Sequence, residues 1–119
     1  MNFEQTKEDR KIIYAYSPED HLKKLIEELD ELKRAAGAYL ETIKTYCHKS
    51  PREKDAIKYA FLEEFVDVAI KMRHVYELEV SRCFGMGAVC DDIERFKIAR
   101  QCVRIDIKDE TYGSNKRKE

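Results

Sequence analysis

Residues 50–75 read SPREKDAIKYAFLEEFVDVAIKMRHV, and this stretch decides the fold. It opens with serine, proline and glutamate in the order of a helix capping box, with the proline at the first helical position. No glycine or proline then interrupts the chain until Gly85. The pattern predicts one long helix from about residue 51 to Phe84, and Gly85 fits its C-terminal cap.

Apolar side chains recur along this helix at intervals of three and four, which is the period of a helix face. The main stripe consists of Ile57, Phe61, Phe65, Val68, Met72 and Val75, and Leu62, Val66, Ala69 and Tyr76 widen it. The pattern predicts a helix that is buried on most of its circumference. Three or four helices of one chain are too few to cover it, so we expect a dimer or tetramer.

A second start of the same kind lies upstream, where Ser17-Pro18-Glu19-Asp20 predicts a helix from about residue 18 to Tyr46. Asp91 or Asp92 fits the N-cap of a third helix that reaches Arg104. The N-terminal arm, residues 1–16, is compatible with an extended segment or a short helix. Residues 17–108 are thus expected to form one all-α domain, a bundle of three to five helices, before a flexible polar tail at 109–119.

The composition agrees with such a bundle and excludes several other classes. Of 119 residues, 43% are hydrophobic and 39% charged, while glycine (4) and proline (2) are scarce. The net charge of -1 gives no general attraction to nucleic acid. No apolar run is long enough for a membrane span or a signal peptide. The four scattered cysteines are typical of reduced thiols, which predicts a cytoplasmic protein.

Four acids stand out because they lie in two pairs of i, i+3 spacing beside apolar stripes. Glu28 lies at the edge of the first helix's stripe and Glu31 one step further round, while Glu64 lies inside the apolar arc of the second helix and Asp67 at its border. We expect Glu64 to be the deepest and Glu31 the most exposed. A carboxylate near a core costs several kcal/mol unless it is compensated. If the two helices are antiparallel neighbours, the four acids converge on a site that suits Mg²⁺.

Other interpretations of these residues remain open. The acids can pair with lysines and arginines of neighbouring helices, as in any charge-rich bundle. Cys47 and His48 form one adjacent pair, which is short of a zinc-ligand pattern. A di-iron site needs a histidine three residues after a glutamate, and His21, His48 and His74 do not meet that condition. We expect each histidine to be a surface or partly packed residue.

Two segments resemble a known family. Residues 24–32 read KLIEELDEL and residues 63–70 read EEFVDVAI. Together they resemble the E-E-x-x-E and E-x-x-D pattern of the MazG-like nucleotide pyrophosphohydrolases, in the all-α NTP pyrophosphatase superfamily. The resemblance spans about residues 20 to 105. It implies that Glu28, Glu31, Glu64 and Asp67 bind magnesium, and that the chain assembles into an oligomer with the active site near the subunit interface.

The resemblance also implies a reaction, the cleavage of a nucleoside triphosphate to the monophosphate and pyrophosphate. Glu28 or Glu31 is then expected to accept the proton of the attacking water. A family segment that faces the substrate matches Lys97, Gln101 and Arg104, with glutamine in place of asparagine. Lys71, on the line of Asp67, is expected to balance polyphosphate charge together with Lys97 and Arg104. The alternative is a non-catalytic helical oligomerisation or interaction module that retains the fold.

Overall fold

The computed structural model describes residues 1–44 and 46–112. Over these residues the chain is helical and contains no strand, so the predicted all-α class is confirmed. The helices are α1 (Lys7–Ala15), α2 (Pro18–Thr42), α3 (Pro51–Tyr76) and α4 (Met86–Tyr112), and a π-helix, Glu77–Ser81, follows α3 directly. Within this part of the chain, none of the helices combines the length and the apolar character needed to cross a membrane.

Both helix starts that carry a serine and a proline are confirmed. The Ser17 hydroxyl accepts a hydrogen bond from the backbone N–H of Asp20 at 3.1 Å, and α2 begins at Pro18. The Ser50 hydroxyl accepts from the N–H of Glu53 at 3.2 Å, and the Glu53 carboxylate accepts from the N–H of Ser50 at 3.3 Å. These side chains satisfy backbone donors that have no partner inside the first turn of a helix.

The N-terminal arm contains a short helix, which decides between the two conformations left open by the sequence. The Thr6 hydroxyl accepts from the N–H of Asp9 and the Asp9 carboxylate accepts from the N–H of Thr6, both at 3.0 Å. This second capping box starts α1, which places Ile13 in the core with 1% of its surface exposed.

The helices α2 and α3 end earlier than predicted. α2 stops at Thr42 rather than Tyr46, because the Thr42 hydroxyl donates to the carbonyl of Tyr39 at 2.6 Å and competes with the helical pattern. α3 changes to the π-helix after Tyr76, and the N–H of Arg82 closes that segment on the carbonyl of Glu77 at 3.2 Å. The prediction of a continuous α-helix to Phe84 was therefore wrong.

The last helix is longer than predicted at both ends. It begins at Met86 rather than at Asp91 or Asp92, because Gly85 adopts a left-handed conformation (φ 77°) and its carbonyl accepts the N–H of Val89 at 3.2 Å. It also continues beyond Arg104 to Tyr112, so residues 109–112 of the expected tail are helical. Residues 113–119 lie outside the described part of the chain.

The chain divides into two compact units, one of residues 2–82 and one that joins Met1 to the chain from Cys83 onward. In the first unit α2 and α3 pack as antiparallel neighbours. Near the loop that joins them, the rings of Tyr39 and Phe61 stack with centroids 5.2 Å apart, and at the other end the rings of His21 and His74 meet edge to face at 5.7 Å. The two helices therefore run in opposite directions.

The interior of this unit is unusually polar. Among its described residues, the buried apolar side chains are Ile13 and Val68, whereas the buried polar ones are Asp9, His21, Glu28, Thr42 and His74. Part of the apolar surface of α3 is exposed in the single chain, since Phe65 is 54% and Val66 53% exposed. This exposure agrees with the expectation that one chain is too small to cover α3, and burial on most of its circumference stays a prediction for an assembly.

Candidate metal centre

Three of the four predicted acids meet between α2 and α3. Glu28, Glu64 and Asp67 each offer one carboxylate oxygen, and these oxygens lie within 4.8 Å of one another. The antiparallel packing of α2 and α3 is what joins them, because Glu28 comes from one helix and the other two acids come from consecutive turns of its neighbour. We call this set the acid cluster.

The fourth predicted acid, Glu31, is exposed on α2 and does not belong to this set of oxygens. It lies close enough for its charge to raise the pKa of Glu28. Glu31 therefore contributes to the electrostatics of the acid cluster, while its role as a ligand stays a prediction.

The depth of the acids differs from the sequence-based expectation. Glu28 is the deepest, with 8% of its surface exposed, whereas Glu64 is half-buried and Asp67 is exposed. Glu28 is covered because it points into the contact between α2 and α3. Glu64 is less covered, next to Phe65, which is 54% exposed on α3, so the prediction that Glu64 lies deepest was wrong.

Two buried oxygens of the acid cluster lack a donor. Among the described residues, no hydrogen-bond donor reaches Glu28 Oε2 or Glu64 Oε2. An ionised carboxylate only accepts hydrogen bonds, so a buried oxygen without a donor carries an uncompensated desolvation cost. A bound cation is one way to remove that cost, and hard divalent cations prefer oxygen ligands of this type.

The pKa of Glu28 reflects the same lack of compensation. Burial raises it above the ordinary value, and the charges of Glu31 and Asp67 raise it further. Lys24 opposes these effects, with its ammonium nitrogen 3.4 Å from Glu28 Oε1. One lysine thus balances part of the negative charge, and the pKa of Glu28 stays raised.

A cavity of about 680 Å³ lies beside the acid cluster, and its lining residue Lys24 forms an ion pair with Glu28. The cationic residues that line it are Lys23, Lys24 and Lys71. The other lining residues are Ile12, Tyr16, Asp20, His21 and Glu27. The volume is in the range of small-molecule binding sites. Burial lowers the pKa of the Lys71 ammonium, as does the charge of Lys24, while the charge of Glu28 raises it.

The residues predicted to face the substrate from the last helix belong to the other unit. Lys97, Gln101 and Arg104 lie on α4 at spacings of four and three, which places them on one helix face, and all three are exposed. Their contact with a substrate stays a prediction. At the turn before α3, Cys47 is half-buried and His48 exposed, and within the described residues neither belongs to a group of three possible metal ligands.

Sequence reasoning missed a buried polar cluster that joins α1 to α3. His74 Nε2 lies 2.9 Å from Asp9 Oδ1, and the Arg73 guanidinium donates to both Asp9 oxygens at 3.0 and 3.3 Å. His21 is also buried and places its Nε2 3.0 Å from the carbonyl of Ile13. The prediction of surface or partly packed histidines was wrong for both.

One feature of the sequence pointed to this second cluster. His74 follows Asp67 and Lys71 by seven and three residues, so it continues the same line of α3. Its partner Asp9 is 65 residues away in the sequence, and no periodicity within α3 reveals such a contact.

Comparison with known proteins adds no family. The chain matches no protein-family model, no curated protein and no solved structure. The assignment of a function therefore depends on the acid cluster, the cavity beside it and the resemblance of the two acidic segments.

Proposed function

We propose that this chain is a magnesium-dependent nucleoside triphosphate pyrophosphohydrolase that converts an NTP or dNTP to the monophosphate and pyrophosphate. The observation that carries the proposal is a pair of buried carboxylate oxygens, Glu28 Oε2 and Glu64 Oε2, that no donor of the described residues reaches, in a set of three acids within 4.8 Å. The ion pair with Lys24 does not account for them, because its ammonium approaches the other oxygen of Glu28, Oε1.

In this proposal Glu28, Glu64 and Asp67 hold Mg²⁺, and Glu31 completes the set from the exposed side. Their chemistry fits the ion, since all are carboxylates and Mg²⁺ prefers oxygen ligands. When bound, magnesium supplies positive charge that neutralises phosphate oxygens and makes water more acidic.

The residues of the chain perform the remaining steps. Glu28 or Glu31 accepts a proton from the attacking water, whose oxygen forms the new bond to the α-phosphorus. The bond from the α-phosphorus to the bridging oxygen breaks, and pyrophosphate leaves with the electron pair. Lys23, Lys24 and Lys71 line the cavity that receives the triphosphate, and their charges offset those of the phosphates. A substrate-binding role of Lys97, Gln101 and Arg104 on α4 is proposed from the resemblance alone.

The exposed apolar face of α3 supports assembly into a dimer or tetramer. Tyr59, Leu62 and Val66 are 66%, 45% and 53% exposed and lie on one side of the helix, next to Asp67 of the acid cluster. We propose that a second copy of this chain covers this face. The active site would then lie near the subunit interface.

The same exposed face also favours a second candidate function, a non-catalytic helical oligomerisation or interaction module. Such a module requires the apolar face of α3 but not the acid cluster. The two candidates therefore differ in their response to magnesium.

The decisive experiment measures pyrophosphate release from a panel of NTPs and dNTPs with magnesium, together with the melting temperature with magnesium and with a chelator. We expect release from at least one nucleotide and a rise of several degrees in the melting temperature with magnesium. Glu64→Gln should lose both. Glu63→Gln removes the same charge from an exposed neighbour on α3 and should behave as the natural chain. Equal rates in the natural chain and in Glu64→Gln would contradict the proposed site.

A further inference from the structure

The buried Asp9 carboxylate is ionised and acts only as an acceptor. Burial alone raises its pKa, but hydrogen bonds from Arg73, Thr6 and His74 outweigh this effect and hold the pKa well below its ordinary value. An ionised carboxylate has no proton to donate. The contact of 2.9 Å between Asp9 Oδ1 and His74 Nε2 therefore requires the proton to be on Nε2 of the imidazole.

The His74 ring is neutral in this environment. It is fully buried, and burial lowers its pKa below the ordinary value, as do the charges of Lys71 and His21, while Asp9 opposes them. A neutral imidazole has one N–H, so a proton on Nε2 leaves a lone pair on Nδ1. His21 does not take that lone pair, because its Nε2 lies 3.0 Å from the carbonyl of Ile13 and its Nδ1 has no hydrogen-bond partner among the described residues.

The Nδ1 lone pair faces a lysine of the cavity. The ammonium nitrogen of Lys71 lies 3.5 Å from His74 Nδ1, at the long end of the range for a hydrogen bond. An ammonium only donates, so the direction of this contact matches the tautomer that Asp9 imposes. Lys71 lines the cavity and interacts electrostatically with Glu28, which links the buried polar cluster to the acid cluster.

We propose that Asp9 and His74 are positioning residues: they fix one imidazole tautomer, whose Nδ1 holds the Lys71 ammonium where it binds the polyphosphate oxygens of the substrate. The inference rests on the proposed function for the identity of the anion. The tautomer and the hydrogen bond to Lys71 are independent of hydrolysis, so they can be tested separately.

Two amide substitutions of His74 distinguish the roles of its two ring nitrogens. The side-chain amide of His74→Asn occupies the position of Nδ1 and can still accept from Lys71, whereas the amide of His74→Gln reaches the position of Nε2 and keeps only the partner Asp9. Lys71→Met removes the ammonium and keeps most of the side-chain volume. Melting temperatures of all variants verify that they are folded.

The binding probe is inorganic tripolyphosphate with magnesium, measured by titration calorimetry. We expect His74→Asn to bind within about threefold of the natural chain, and His74→Gln and Lys71→Met to bind about tenfold more weakly, as for the loss of one charge-assisted hydrogen bond. The double variant Lys71→Met/His74→Gln should bind no more weakly than Lys71→Met alone. Equal affinities of the Asn and Gln variants, or no binding by the natural chain, would overturn the proposal.

The nitrogen-15 chemical shifts of His74 test the tautomer in the natural chain without any substitution. Protonated Nε2 and unprotonated Nδ1 are expected, and the opposite assignment would overturn the inference even if a variant fails to fold. Pyrophosphate release is the separate test of the proposed function. Its absence, together with the expected difference between the two amide variants, would reject hydrolysis but retain the role of His74.

Discussion

At the scale of single residues, helical periodicity was sufficient to bring Glu28, Glu64 and Asp67 together, because i, i+3 spacing fixes the face on which an acid lies. It was not sufficient to rank their depth. Depth depends on what covers each side chain: Glu28 is 8% exposed in the contact between α2 and α3, whereas Glu64 is half-buried. His74 was missed for the same reason, since its partner Asp9 comes from a distant helix.

Without metal, the natural chain should be less stable than a variant that lacks the charge of Glu28. The raised pKa of Glu28 means that the folded state disfavours the ionised form, so this charge costs stability at pH 7. We expect Glu28→Gln to melt a few degrees higher than the natural chain in a chelator, and to lose the rise that magnesium gives. The exposed control, Glu63→Gln, should change neither. A lower melting temperature of Glu28→Gln without metal would contradict the electrostatic account.

Acid should destabilise the fold in two steps. The folded state holds the pKa of His74 below the ordinary 6.5, so as the pH falls below about 6.5 the unfolded chain takes up a proton that the folded chain does not, and stability is lost. Asp9, whose pKa is also lowered, adds a loss when the pH falls below its ordinary 3.8. Chemical denaturation from pH 7 to 3 measures both steps. His74→Gln should flatten the first step, and an unchanged slope there would count against a buried neutral His74.

At the scale of helices, the starts were predictable and the ends were not. Ser17-Pro18 and Ser50-Pro51 start α2 and α3 through contacts made within four residues, so the sequence alone contains the information. The end of α2 depends on the hydroxyl of Thr42 bonding back to Tyr39, a choice that threonine makes only in some contexts. The π-helix after α3 likewise has no sequence pattern that distinguishes it from an α-helix.

Two glycines should respond to alanine in opposite directions. Gly37 lies inside α2, and a methyl group there meets nothing within 4 Å among the described residues, so Gly37→Ala should stabilise the protein by about 0.5–1 kcal/mol. Gly85 adopts φ +77°, which alanine rarely adopts, so Gly85→Ala should destabilise it by about 1 kcal/mol. Denaturant unfolding measures both. Effects of the same sign would contradict these conformational assignments.

At the scale of the whole molecule, the sequence predicted more apolar surface on α3 than one chain buries, and the structure agrees. What periodicity did not reveal is that the interior of residues 2–82 is filled largely by polar groups, Asp9, His21 and His74 among them. Of the apolar side chains of α3 that were assigned to the core, Val68 is buried, whereas Phe65 and Val66 are more than half exposed.

Assembly through this face gives a direct prediction. The natural chain should sediment as a dimer or tetramer, and Val66→Lys should shift it toward the monomer, because a lysine in an apolar interface leaves its charge without a partner. Val103→Lys makes the same change at a valine of α4 with similar exposure, 55% against 53%, and should leave sedimentation unchanged. A natural chain that sediments as a monomer would reject the interface.

Asp9 belongs to two structures at once, the capping box of α1 and the ion pair with Arg73 and His74. A nine-residue helix is not stable in water by itself, so α1 persists only while it is docked. Undocking and unwinding are then one cooperative event, and the amides of residues 10–15 should exchange their hydrogens at a common rate. Ile12 and Tyr16 leave the cavity wall in that event. Access to the cavity is thus coupled to local unfolding of one short helix, and a ligand that fills the cavity should slow that exchange.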